Sequence, residues 1–344
     1  MASLVSSWSS DLKCLPDNYV LPEGKRPGMP VPVSNDIPVI DLGDGLDYSR
    51  ADMVQQIAKA GQDFGLFQVI NHGVSKELMA DAMNVSKEFF GMSPEEKAKY
   101  YIDSVALEEK AGCRLYTSSG YFLAQGFDFW KDTLQHPCHP LQNHINSWPD
   151  KPKNYREVMG PYTTQVRKVA MKIMDMIYQG LGLEADDTEK EFDNYNLALS
   201  INHYPACPDP ALALGCCRHC DPAILTLLQQ EVYGLQLEKD GHWIGVKPLP
   251  DAFVVNIGLL LEVISNGKLK GAVHRAVTNS ACSRNSLVTF VGCPTDVTIK
   301  PAAALISPTN PPLYRAFNNK DFHEFVFANN AEFEAVIAYL KLKT

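Results

Sequence analysis

Residues 197–230, LALSINHYPACPDPALALGCCRHCDPAILTLLQQ, decide the fold. Two strand-like runs, LALSINHY (197–204) and AILTLLQQ (223–230), flank a turn-rich stretch that carries a His-Cys-Asp sequence. The same texture continues outward through GLQLEK (234–239), DAFVVNIG (251–258), HRAVTN (274–279) and SLVTFVG (286–292). Short strands at close intervals, with turn signals between them and no long helix, predict a barrel or jelly-roll core over 195–300.

Upstream the periodicity changes. The strongest helical pattern lies over 162–180, where Val166, Val169, Ala170, Ile173 and Ile177 share one face and Gly180 is placed to stop the helix. IPVID (37–41) and GLFQVINHG (65–73) read as strands, and 50–63 and 76–91 as amphipathic helices. Ser93-Pro94-Glu95-Glu96 is a capping box that opens a third helix. Residues 102–128 show no clean period and read as a functional or weakly ordered loop. A last amphipathic helix places Phe333, Val336, Ile337 and Leu340 on one face. The fold class is therefore α+β with a mainly β core. Its expected parts are a leader (1–36), an N-terminal mixed region (37–150), a supporting helix (151–194), the β core (195–300) and a closing segment with a helix (301–344).

The chain has 344 residues, 45% apolar and 21% charged, which excludes disorder as its general state. A net charge of −9 argues against a phosphate-tracking surface, so no nucleic-acid partner is expected. The longest apolar run, around 252–264, is cut by Asn256 and Glu262, so no membrane span is expected. Nine cysteines without a secretory leader read as reduced thiols of a cytoplasmic protein.

The chemistry gathers at two places. His219 and Asp221 stand at i and i+2 and would share one strand face, with Cys220 turned away. His274 opens another strand. Two imidazoles and a carboxylate from a β core form a facial triad for Fe(II) that leaves positions open for a co-substrate and oxygen. Arg284 and Ser286 again share a strand face, and a guanidinium beside a hydroxyl clamps a carboxylate such as the far end of a 2-oxo acid. Tyr204, from the opposite strand segment, adds a hydroxyl. Cys207, Cys216, Cys217 and Cys220 raise zinc as an alternative. A run this tight cannot wrap one tetrahedral ion, and buried inert thiols fit it better.

His219–Asp221, His274, Arg284–Ser286, NHYPACPDP (202–210) and FGLFQVINHGV (64–74) together resemble the plant iron(II)- and 2-oxoglutarate-dependent dioxygenases over roughly residues 36–340. The resemblance implies a double-stranded β-helix (jelly roll, cupin-like) with iron between its sheets. It carries Asn202 and Tyr204, with Arg284 and Ser286, to the 2-oxoglutarate pocket. It implies Fe(II), with 2-oxoglutarate and O2 as co-substrates and ascorbate as reductant. It also implies hydroxylation of a C–H bond coupled to release of succinate and CO2, with desaturation and epoxidation within the same chemistry. His203 replaces a tyrosine usual in the family, and Gly258-Leu259-Leu260-Leu261-Glu262 departs from its usual Gly-Asp-Gln-Leu-Gln; neither change removes a ligand.

Likeness to the alkaloid-hydroxylating branch suggests a tropane-type alkaloid as substrate. Tyr116, Tyr121, Phe122 and Phe127 are the candidate pocket wall, and one acid, Asp128, lies among them. That composition suits a phenolic, flavonoid or salicylate-like acid as well as an amine. The expected partner is this small molecule, with the chain acting as a monomer. The other class of function is a catalytically silent binding protein, which loss of a triad or clamp residue would mark; none is lost. His136, His139 and His144 read as a solvated loop, and His72 as architectural.

Overall fold

A computed structural model describes residues 4–10, 12–43, 49–102, 112–118, 126–183, 194–329 and 332–342. Its strands are β1 (Val33–Ser34), β2 (Val39–Asp41), β3 (Leu66–Ile70), β4 (Arg114–Thr117), β5 (Asp132–Pro137), β6 (Asn196–Tyr204), β7 (Leu214–His219), β8 (Leu225–Gln230), β9 (Leu235–Lys239), β10 (His242–Val246), β11 (Phe253–Ile257), β12 (His274–Val277) and β13 (Arg284–Gly292). They form a large sheet in the order β2-β3-β11-β8-β13-β6-β5-β4 and a small one in the order β1-β10-β9-β12-β7, and two further short strands, Thr298–Ile299 and Phe317–Asn318, pair as a separate two-stranded sheet. The large sheet therefore adds strands β2–β5, all from the N-terminal part of the chain, to both edges of the centre predicted from 197–292.

Side-chain alternation gives the large sheet two different faces. Leu115, Leu134, Leu199, Ile201, Leu225 and Leu227 point outward into the main core. That core is roofed by helices α1 (Arg50–Asp63), α2 (Lys76–Gly91) and α3 (Tyr155–Leu181). The inner face looks across at the small sheet. Leu66, Leu228, Leu235, Leu237, Val246, Val254 and Val288 meet there and plug one end of the sandwich. The other end stays open as a cavity, and the polar residues of the inner face collect in it.

Three short helical segments close the molecule around this frame: α4 (Leu259–Ile264), α5 (Asn319–Ala328) and α6 (Phe333–Leu340). Among the described residues no helix is long and apolar enough to cross a membrane.

Several expectations change. The helix expected over 162–180 begins at Tyr155 and runs through Pro161. An interior proline costs roughly 3 kcal/mol. Tyr155, Met159 and Tyr162 on either side of it are all fully buried, at roughly 2 kcal/mol each, so packing wins. Gly180 does not stop this helix. A Cβ there would lie 3.3 Å from Ala58 Cβ and Val54 Cγ1, so its smallness lets α1 and α3 approach. The stop is Gly182, left-handed at φ 73°. The capping box at Ser93 forms, but its helix lasts only over Pro94–Lys97. Strands β4, β5, β7 and β10 were not expected, and β4 falls inside the stretch read as a loop. His136 is not solvated: it lies in β5, 1% exposed, against Trp148 at 4.3 Å and bonded to the Tyr155 hydroxyl at 2.8 Å. His72 is architectural as expected, because Nδ1 accepts from Val74 N–H and Nε2 reaches Asp251 O at 3.1 Å.

Candidate active site

Strand register builds the centre. In the antiparallel β7–β12 pair, His219 and His274 stand directly opposite each other, and their rings are 4.2 Å apart. Asp221 lies just beyond the end of β7, not on a strand as the i, i+2 argument assumed. Pro222 follows it and biases its backbone to the extended form, so the same-side relation survives. Asp221 Oδ1 is 3.5 Å from His219 Nε2 and 3.7 Å from His274 Nε2. The three donor atoms lie within 4.8 Å of one another, and this is the single such His/Cys/Asp/Glu group among the described residues.

The donor chemistry fits a divalent metal. His219 Nδ1 is 2.8 Å from Cys217 O, and His274 Nδ1 is 2.8 Å from Ala272 O. Each backbone carbonyl can take only a proton, so Nε2 is the atom of each ring that faces the Asp221 carboxylate and would meet a metal. Burial works to raise the Asp221 pKa, but the adjacent imidazoles of His274 and His219 outweigh it and hold the carboxyl below its usual range. His274 is held below its ordinary value by burial and by His219, which favours the neutral, ligating form. Asn256 Nδ2 donates to Asp221 Oδ2 at 3.3 Å and orients the carboxylate from behind.

The turn after β11 supports this loop. Leu259 N–H donates to Asp221 O at 2.9 Å, Leu260 N–H to Ala223 O at 3.0 Å and Gly258 N–H to Ile224 O at 2.9 Å. A Cβ on Gly258 would sit 2.0 Å from Ala223 O, so only glycine permits the approach. The segment that departs from the family pattern is thus the seat of the Asp221 loop. Cys220 faces away as expected, its Sγ 3.9 Å from Ile257 O in the core.

The carboxylate clamp assembles on the neighbouring inner face. Along β6 and β13, Arg284 pairs with Tyr204 and Ser286 with Asn202. Arg284 is 2% exposed and held by Nε to Val232 O at 3.0 Å and Nη2 to Gln230 Oε1 at 2.9 Å. Its Nη1 and the Ser286 Oγ are buried without a hydrogen-bond partner. Such orphaned donors are costly unless a ligand takes them, and a carboxylate meets both. The Tyr204 ring lies 4.9 Å from the guanidinium, and Asn202 Oδ1 accepts from Thr133 Oγ1 at 2.9 Å.

Both groups open on one cavity of about 480 Å³ between the sheets. Its apolar wall includes Leu235, Val288 and Phe290, and Val326, Phe333 and Val336 of α5 and α6 close it. Arg218, beside His219, holds α6 by an ion pair to Glu334 at 2.9 Å and by lying 4.1 Å over the Phe333 ring. Of the expected pocket wall, Tyr116 lines the cavity. Phe127 does not: it packs edge-on against Phe129 and under Lys25, because its neighbours carry it into a separate cluster with Leu21. Tyr121 and Phe122 lie outside the described residues. Asp128 turns away to Asn18 Nδ2 at 2.7 Å.

Sequence reasoning missed Asn256, Gln230, Arg114 and Lys131. Asn256 had a signal, as the one amide in the apolar run FVVNI; the others depend on strand register across the sheet. All nine cysteines are free thiols, and none joins the metal-type group.

A family model described as the 2OG-Fe(II) oxygenase superfamily matches residues 195–292, and one described as the non-haem dioxygenase in morphine synthesis N-terminal matches 37–151. Hyoscyamine 6-dioxygenase of Hyoscyamus niger is 43% identical, with 99% of each chain covered. The 2'-deoxymugineic-acid 2'-dioxygenase of Hordeum vulgare is 40% identical over 90% of this chain and 88% of its own. The crystal structure of JOX2 in complex with 2OG, Fe and JA superposes with a TM-score of 0.88 at 33% identity, covering 99% of this chain and 98% of that one.

Proposed function

The chain belongs to the 2OG-Fe(II) oxygenase superfamily, an oxidoreductase family using Fe(II), 2-oxoglutarate and O2, and from that premise we propose that it hydroxylates a carbon of a small, largely apolar specialised metabolite. The observation that carries the reading is the pairing of the His219–Asp221–His274 group with the unpartnered Arg284 Nη1 and Ser286 Oγ in one cavity.

Bound iron with its two co-substrates supplies the oxidising power to cleave an unactivated C–H bond, releasing succinate and CO2. His219, Asp221 and His274 would hold the metal. Arg284 and Ser286 grip the distal carboxylate of 2-oxoglutarate, and Tyr204 and Asn202 shape that pocket from the next strand. The aliphatic wall and α6 exclude water and present the target carbon. Ascorbate serves as reductant in the same scheme.

Two substrate readings have support. The 43% identity to hyoscyamine 6-dioxygenase favours a tropane-type alkaloid. The cavity favours a phenolic or acidic compound, since Asp221 is the single acidic side chain lining it among the described residues. With that carboxylate committed to the metal, a protonated amine finds no counter-charge there. The nine free thiols support a reducing compartment, and we place the enzyme in the cytoplasm as a monomer without nucleic-acid or membrane partners.

The test is substrate-dependent succinate formation by anaerobically purified protein given Fe(II), 2-oxoglutarate, ascorbate and air. Tropane alkaloids and phenolics form the panel, with His219→Ala and Asp221→Ala as controls. Turnover of one class, abolished in both controls, is expected. Turnover that survives in either control would overturn the assignment of these ligands.

A further inference from the structure

The inner face of the large sheet carries more positive charge than iron and 2-oxoglutarate use. Alternation along β4 points Arg114 and Tyr116 into the cavity while Leu115 goes to the core. Along and just before β5, Lys131 and Gln135 point the same way, and Leu134 opposes them. Register places Arg114 opposite Gln135, and Tyr116 opposite Thr133. Asp132 pairs with His203, so Lys131 falls beside Tyr204, next to the Arg284 clamp. The result is a basic strip from Lys131 to Arg114, with the Tyr116 phenol between them.

Lys131 is only 8% exposed. Among the described residues its ammonium makes no hydrogen bond and has no carboxylate within 4 Å, although Asp132 is its chain neighbour. The Asp132 side chain faces the other way and accepts from Val5 N at 2.9 Å, Ser6 N at 2.8 Å and the Thr117 hydroxyl at 2.8 Å. Among the described residues Arg114 bonds through Nε alone, to Gln135 Oε1 at 2.8 Å. A buried ammonium with no carboxylate beside it among the described residues is costly, so its place in a ligand cavity points to an anion supplied from outside.

Charge balance shows which ligand that is. A divalent iron, the Asp221 carboxylate, dianionic 2-oxoglutarate and the Arg284 guanidinium together come to zero. Among the described residues no carboxylate faces Lys131 or Arg114, which stand against walls of Leu228, Leu235, Val288 and Phe290.

Resting on the hydroxylase reading above, we infer that Lys131 and Arg114 form a substrate subsite for a carboxylate, so that the physiological substrate is an apolar organic acid. Lys131 contacts the carboxylate directly, Arg114 extends the positive field toward the second end of the strip, and the aliphatic wall holds the hydrocarbon body over the metal.

Anaerobic titration calorimetry on the enzyme carrying Fe(II) and 2-oxoglutarate tests this. The probes are benzoate and cinnamate, their primary amides, and benzylamine. Carboxylates are expected to bind at least tenfold more tightly than the matched amides, and benzylamine not at all. Lys131→Met is expected to reduce the carboxylates to the affinity of the amides while leaving the amides unchanged. Arg114→Gln, at a less buried position, is expected to weaken the carboxylates severalfold and gives a second reading if Lys131→Met fails to fold. In each variant the visible absorption that appears on adding Fe(II) and 2-oxoglutarate should persist. Equal affinity for acid and amide, preference for the amine, or no binding of either acid overturns the inference and leaves the hydroxylase reading standing. Loss of the 2-oxoglutarate absorption in Lys131→Met overturns it by moving Lys131 into the co-substrate pocket. Absence of that absorption in the unsubstituted protein brings down the hydroxylase reading, and this inference with it.

Discussion

Single residues do their work here through what holds them. As candidate ligands, His219 and His274 are oriented by Nδ1 contacts to Cys217 O and Ala272 O, and Asp221 by Asn256. His136 shows the opposite use of an imidazole. Burial pulls its pKa from 6.5 down to about 3, so it stays neutral in the folded chain. The unfolded chain takes up this proton as pH falls below about 6.5 while the folded one refuses it until about 3. Stability from this residue is therefore complete above the upper value and is lost progressively across that window. The slope is about 1.4 kcal/mol per pH unit, so roughly 2 kcal/mol is lost by pH 5. Urea unfolding at pH 7 and pH 5 should show the unsubstituted protein losing about that much more than His136→Gln; parallel losses would refute a neutral buried imidazole.

At the scale of elements, close approach matters more than propensity. Helix α3 keeps its proline because buried aromatic neighbours outweigh the missing hydrogen bond, and it meets α1 across Gly180. The turn from β11 into α4 seats the Asp221 loop across Gly258. Gly258→Ala puts a methyl into the Ala223 carbonyl and must push the turn away. The expected result is a tenfold or greater loss of iron affinity and a stability loss of about 1–3 kcal/mol. Gly24→Ala, where a Cβ meets nothing within 4 Å, is the matched control and should change neither. Iron titration with urea unfolding reads both, and an unchanged iron affinity in Gly258→Ala would separate the turn from the site.

Across the whole molecule, the sandwich is closed by apolar packing at one end and left open and polar at the other. The open end holds the orphaned donors and facing ligands, so loading it should stabilise the entire fold. Fe(II) and 2-oxoglutarate at about 100 times their dissociation constants contribute roughly 2.7 kcal/mol each. For a chain this long the two together raise Tm by about 7 °C under anaerobic conditions. A chelator should reverse the rise, and Asp221→Ala should not show it. An equal rise in Asp221→Ala would place the binding elsewhere.

The strand-rich core, the stripe of α3 and the candidate ligands His219, Asp221, His274, Arg284 and Ser286, which the structure brings to one cavity, were legible in the sequence. Each is a local pattern: alternation, helical period, or two reactive groups an even number of residues apart on extended chain. The expected start of α3, at 162, came seven residues late because a local pattern cannot weigh distant burial. The solvated reading of His136 failed for the same reason, since Trp148 and Tyr155 come to it from outside its strand. Phe127 and Lys131 lie a few residues apart, yet one enters a separate core cluster and the other the cavity. No local period separates them, because their facing depends on where β4 and β5 join the edge of the sheet. The sequence by itself determined the chemistry, because ligand identity and spacing are covalent facts along a strand. The tertiary structure alone decided which groups share the cavity and which charges stay unpaired, because register between strands distant in the chain is set by packing the whole sheet at once.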